Sequence, residues 1–178
     1  MRSTRSFAAR AGFGATLVVG LLAVTAATRS FSPHAAMFGG PWISIETPAN
    51  PYLASGSGAL FLVRTYVHQN PADLPVSGRA EGLVDGKRRS VPFTLTRSAQ
   101  TGMYVVRREW GEKGIWTVLV TAMPEARNGW RIQAVVNVGA DGEIEKASMP
   151  HAGQTLTDAD VERGLHDRAR AMLAAGVR

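Results

Sequence analysis

The 178-residue sequence contains no cysteine. Disulfides and lipid-modified cysteines are therefore excluded, and a folded domain must rest on its apolar core. Also missing are Gly-x-Ser-x-Gly, His-Glu-x-x-His, the P-loop and the glycine fingerprint of dinucleotide-binding folds. No motif points to catalysis, so the expectation is a protein that is not an enzyme. The Asn-x-Ser/Thr acceptor is absent as well, which is compatible with a bacterial cell envelope.

Acidic residues are missing from the whole stretch before Glu46. Four of the 20 basic residues (Arg2, Arg5, Arg10 and Arg29) lie before residue 37, so without them the net charge of +6 falls to +2 (6 − 4). The basicity belongs to the amino end, and nucleic acid is not an expected partner.

What is present begins with that amino end. Three arginines precede an uncharged run from Ala11 to Thr28, densest over residues 15–27 and closed by small residues. Those are the parts of a secretory signal, and the alternative is a single-span membrane anchor formed by residues 11–28. Both readings export the remainder, so the expected location is the periplasm, free or tethered to the inner membrane. Phe31 to Pro41 reads as a linker. Residues 1–36 are thus a signal or anchor with its linker, 37–148 a β-domain, and 149–178 a connector and helix.

Between residues 42 and 148, short runs rich in β-branched and aromatic residues alternate with turn chemistry. Trp42–Glu46 is the first, and Ala59–Val67, the most apolar, is expected at the centre of a sheet. Asp85-Gly86 predicts a two-residue hairpin turn between Arg79–Val84 and Lys87–Arg97. Pro92 within the second arm predicts an edge strand or bulge. Met103–Trp110 and Ile115–Ala122 read as another hairpin, joined through Gly111–Gly114.

Trp130–Val138 turns Ile132, Ala134, Val136 and Val138 to one side. Glu143–Ser148 reads as a polar edge strand. Seven to eight strands without an intervening helix predict an all-β immunoglobulin-like antiparallel β-sandwich. In the tail, Thr157 and Asp160 make a capping pair before an apolar stripe of Val161, Leu165, Ala169 and Met172, which predicts an amphipathic helix.

Three features carry a resemblance: Pro41–Pro51, Gly102-Met-Tyr104 and Gly114-Ile-Trp-Thr-Val118. In that order, over residues 42–122, the chain resembles the YtkA-like and FixH-like immunoglobulin-fold domains of bacterial envelope proteins. The resemblance implies a small exported sandwich near metal handling or respiratory-complex assembly, with no catalytic residues to carry over. The Trp130–Val138 strand and the C-terminal helix are additions to that pattern.

Candidate site residues follow from side-chain chemistry. Copper takes imidazole and thioether ligands, and the chain offers His34, His68, His151 and His166 with Met37, Met103, Met123 and Met149. Met149 and His151 are the nearest pair, so copper is the alternative cofactor to none. Trp42, Trp110, Trp116, Trp130, Tyr52 and Tyr66 could build an aromatic binding face. Of these Trp116 belongs to the core by its alternation, as does Tyr104, which is placed to form a tyrosine corner with backbone just upstream. Trp110, Lys113 and Arg107 are the candidates for contact with an envelope protein partner. Lys87-Arg88-Arg89 and Arg107-Arg108 are basic clusters that could touch an acidic lipid headgroup or partner, and solvated strand ends explain them as well. Nothing in the sequence sets the oligomeric state.

Overall fold

In a computed structural model, described for residues 29–31, 40–49, 58–111, 113–123, 131–150 and 154–176, the chain is mostly β with one C-terminal helix. The strands are β1 (Arg29–Phe31), β2 (Trp42–Thr47), β3 (Phe61–Val67), β4 (Asn70–Pro71), β5 (Val76–Val84) and β6 (Lys87–Phe93). They continue with β7 (Thr96–Arg97), β8 (Met103–Val106), β9 (Ile115–Ala122), β10 (Ile132–Val138) and β11 (Ile144–Ser148), before α1 (Asp158–Ala174). One antiparallel sheet runs β1-β2-β3-β8-β7, with β4 paired to β3; the other runs β11-β10-β9-β5-β6.

Period-two burial joins the two sheets. Ile43, Ile45, Phe61, Val63, Tyr104 and Val106 from the first share one core cluster with Ala80, Trp116, Val118, Val120, Val136 and Val138 from the second. Alternate side chains of each strand point into this common layer, as the pleat requires. At Gly82 an added Cβ would come within 2.4 Å of the Trp116 ring, so the indole occupies the space a side chain would take. Phe93, Tyr104, Trp116 and Val136 meet in this interior as their alternation predicts.

Several local expectations hold. The central placement of β3 follows from its apolar composition. Asp85 and Gly86 both take positive φ (50° and 73°), the two-residue turn that the right-handed twist of a hairpin favours. Pro92, which cannot donate to a ladder, lies on β6 at a sheet edge. The polar strand β11 forms the opposite edge.

Others are corrected. Met103–Trp110 and Ile115–Ala122 are not a hairpin: β8 ends at Val106 and pairs with β3, while β9 pairs with β5 and β10 in the other sheet. Eight residues separate Val106 from Ile115 in sequence, more than the usual two to five of a hairpin loop. Alternation looks the same whether a strand's neighbour in sequence lies beside it or opposite it. The arm beginning at Lys87 likewise stops at Phe93, and Thr96–Arg97 joins the first sheet.

The Tyr104 hydroxyl makes no tyrosine corner with nearby backbone. It donates to the Leu74 carbonyl oxygen, 30 residues earlier. Arg29–Phe31, assigned from sequence to the segment ahead of the domain, pairs with β2. Residues 1–28, the expected signal or anchor, lie outside the described residues. No helix among the described residues is long and apolar enough to cross a membrane.

Candidate functional site

The outer face of the second sheet is where this chain departs from a plain pair of layers. On β9 the inward residues Trp116, Val118 and Val120 alternate with Ile115, Leu119 and Thr121. Ile115 and Leu119, with Val135 of β10, pack against Val161 and Leu165 of α1. Both faces of β9 and β10 are therefore covered, and their near-continuous burial follows. The helix starts as its sequence dictates: the Thr157 side chain accepts from the Asp160 N–H, and Asp160 accepts from the Thr157 N–H.

Charges strap the helix down. Glu81, only 1% exposed, accepts from Arg88 at 2.9 Å and from Ser90 at 2.6 Å, and forms an ion pair with Arg79 at 3.0 Å. Arg79 reaches on to Asp158 at 2.7 Å and Arg88 to Glu162 at 3.5 Å, so β5 and β6 hold the first half of α1. Farther along, the Arg168 guanidinium donates to the carbonyl oxygens of Trp116 (3.0 Å) and Val138 (2.9 Å) and to Glu145 (2.7 Å). One planar donor group thereby ties β9, β10 and β11 together at the bulge between Asn137 and Val138.

Beside the amino end of α1 the same face opens into a groove of about 510 Å³. Its floor is a polar row, because Ser77, Thr121 and Gln133 stand directly opposite one another on β5, β9 and β10. Gln133 is 7% exposed, and its side-chain oxygen accepts from the Leu156 N–H at 2.8 Å. Arg131, exposed at the rim, has no ion pair or hydrogen bond among the described residues. Met123 supplies an apolar wall and is 41% exposed.

No family model, curated protein or solved structure matches the chain.

The residues singled out from sequence are scattered. Trp110, expected on the surface, is 4% exposed and packs its ring 5.2 Å from Phe93 and 6.3 Å from Trp116. The buried Trp110 indole N–H has no hydrogen-bond partner among the described residues. Leaving a buried donor unpaired costs about 1–3 kcal/mol. Burying some 200 Å² of indole at about 25 cal/mol per Å² contributes about 5 kcal/mol, so burial wins. Arg107 and Lys113 are exposed on either side of it, and the Lys113 carbonyl accepts from the Trp116 indole at 2.9 Å.

Among the metal candidates, Met103 is fully buried and Met149 packs against the main core. His68 sits exposed in a turn, and His166 lies on α1 at 3.9 Å from Glu162. His34, Met37 and His151 lie outside the described residues. Among the described residues no group of three or more His, Cys, Asp or Glu side chains could hold a metal ion.

Of the aromatic candidates, Trp42 and Tyr66 come together. They are directly paired across β2 and β3, with rings stacked at 4.0 Å and 7°. Tyr52 and Trp130 lie outside the described residues. The groove was missed from sequence. Its one local signal is Gln133, which with Asn137 is one of two polar residues in a largely apolar strand, and the row it completes comes from three separate strands.

Proposed function

We propose that this chain is an exported, non-catalytic immunoglobulin-like β-sandwich that serves as a binding or support module in the bacterial cell envelope. The strand order carries the fold part of this reading. β2-β3-β8-β7 over β10-β9-β5-β6 has the order A-B-E-D over G-F-C-C′ of immunoglobulin domains, with β11 and α1 appended. That order is also what the resemblance to YtkA-like and FixH-like domains implies, and those domains belong to the envelope.

The observation that carries the binding role is the strapped helix with the open groove at its side. A sheet face that in a simpler sandwich meets solvent is here built into a relief of helix, polar floor and Arg131, which has no partner among the described residues. Rigid scaffolds with such concave relief present contacts at low ordering cost. The copper alternative needs Met149 and His151 to converge, and the thioether of Met149 is engaged in core packing; no observation favours that reading.

Two experiments test the proposal. Residues 1–36 fused to a reporter active only outside the cytoplasm should give an active reporter, whereas an inactive fusion would refute export. Site-specific photo-crosslinking from Arg131 and from Glu162 in envelope preparations should trap one discrete adduct. Equal labelling from Ala99, exposed between β7 and β8 of the other sheet, would refute a specific binding face.

A further inference from the structure

We infer that the groove beside the amino end of α1 is a binding site for a carboxylate-bearing ligand. The proposal rests on reading the molecule as a binding module and names the chemistry of one site on it. The groove volume of about 510 Å³ lies within the range of small-molecule sites, roughly 300–1,000 Å³.

The polar groups are donors, and they converge. Gln133 is more than nine-tenths buried and lines the groove. Its oxygen is occupied by the Leu156 N–H, and its amide nitrogen has no partner among the described residues. That nitrogen is not one of the fully buried unpaired side-chain atoms, so it opens on the groove, where a ligand acceptor can reach it. The Thr121 and Ser77 hydroxyls continue the row, and Arg131 adds at the rim a guanidinium without a partner among the described residues.

Charge accounting sets the ligand class. Arg79 also lines the groove, but its guanidinium is already held by Glu81 and Asp158, and Asp158 itself borders the cavity. Among the described residues one uncommitted cation therefore remains at the groove, which suits a monoanion. A phosphate dianion next to Asp158 would lack a second cation. The planar fork of Arg131 matches a carboxylate in two parallel hydrogen bonds. Met123 gives the rest of the ligand an exposed and adaptable apolar contact. The carboxylate could belong to a free organic acid or to the end of a peptide chain.

The test is titration of the purified chain, followed by calorimetry and by amide NMR shifts of β9 and β10. The probes are benzoate, succinate, and an acetylated tripeptide with either a free or an amidated carboxyl terminus. Saturable binding of at least one free carboxylate is expected, weakened about tenfold or more in Arg131→Gln. Thr121→Val should weaken it by a smaller factor, and Arg163→Gln, on the far side of α1, should leave it unchanged.

Binding of the acids alone assigns a small-molecule ligand. Binding of the free but not the amidated peptide assigns a chain terminus, and either result supports the site. The inference is overturned if no carboxylate binds saturably, if Arg131→Gln binds like the parent, or if inorganic phosphate binds as tightly as the best carboxylate. Because crosslinking reads a partner without reference to the groove's chemistry, failure here and failure of the docking role are separable.

Discussion

The Tyr104 hydroxyl donates a 2.6 Å hydrogen bond to the carbonyl oxygen of Leu74, joining β8 to the segment that leads into β5. Around it, Thr65 donates to the carbonyls of Ala72 and Gly102, and Asp73 accepts from the Gly102 N–H at 2.7 Å while pairing with Arg97. Burial, then the Asp73 charge, raise the phenol above its usual pKa of 10.0, against the lowering pull of Arg97 and the Thr65 hydrogen bond.

A raised folded-state value means that the stabilisation is complete below the unfolded pKa and fades as pH climbs through the folded one. The domain should therefore lose stability above about pH 10. Absorbance titration at alkaline pH should show one tyrosine ionising late, together with unfolding. Tyr104→Phe should remove that late phase and cost about 1–3 kcal/mol, because the Leu74 carbonyl keeps its burial and loses its donor. Equal alkaline titration of all tyrosines would contradict this.

Gly102 sits in the same knot with φ of +69°, where an added Cβ would lie 2.6 Å from the Thr65 carbonyl oxygen. Both the left-handed backbone and the contact forbid a side chain. Gly102→Ala should lower stability by about 2 kcal/mol or more in chemical denaturation, whereas Gly111→Ala, with open space around it, should change it by less than about 0.5 kcal/mol.

Arg168 serves three strands at once, so its removal should act beyond the helix. Arg168→Met keeps the apolar stem and leaves the Trp116 and Val138 carbonyls and Glu145 without their donor. A loss of about 2–3 kcal/mol is expected, with faster hydrogen exchange in both β11 and α1. Arg168→Lys should recover only a small part, since an ammonium cannot span two carbonyls and a carboxylate as a planar fork does. Full recovery by lysine would reduce the role to simple charge.

The start of α1 responds to acid. Hydrogen bonds from the Thr157 side chain and backbone hold the Asp160 carboxyl below its usual 3.8, with Arg163 adding to the shift. A lowered folded-state value means that the contribution is present above the unfolded pKa and is lost as pH falls through the folded one. The helical circular-dichroism signal should be flat from neutral pH to about pH 5 and weaken below about pH 4. Thr157→Ala should cost about 1 kcal/mol at neutral pH and flatten that acid response. An unchanged acid response in Thr157→Ala would exclude the capping box as its source.

Removing residues 155–178 should uncover Ile115, Leu119 and Val135 as one apolar patch. Such patches drive association, so the truncated chain should self-associate in light scattering at concentrations where the full chain does not. A truncated chain as monodisperse as the parent would show that the helix protects nothing.

Elements that depend on neighbours in sequence were legible there. Asp85-Gly86, the Thr157–Asp160 cap, the edge position of Pro92 and the inward set on β10 follow from backbone preference and from the period of two. Trp110 was misread because its burial depends on packing against Phe93 and Trp116 from other strands, and no local pattern encodes that. The hairpin expected between β8 and β9 failed for a related reason: alternation reports which side chains face inward, not which layer a strand joins.

By itself, then, the sequence determined that the chain is cysteine-free and held by apolar alternation, with short strands, one capped tail helix and its own turn chemistry. Each of these arises from interactions a few residues apart or from simple composition. Only the tertiary structure decided that β8 and β9 lie in opposite sheets, that Arg168 ties three strands together, and that Ser77, Thr121 and Gln133 line up as one polar floor. Those outcomes turn on which distant strands share a ladder, a choice settled by the packing of the whole core and not by any single segment.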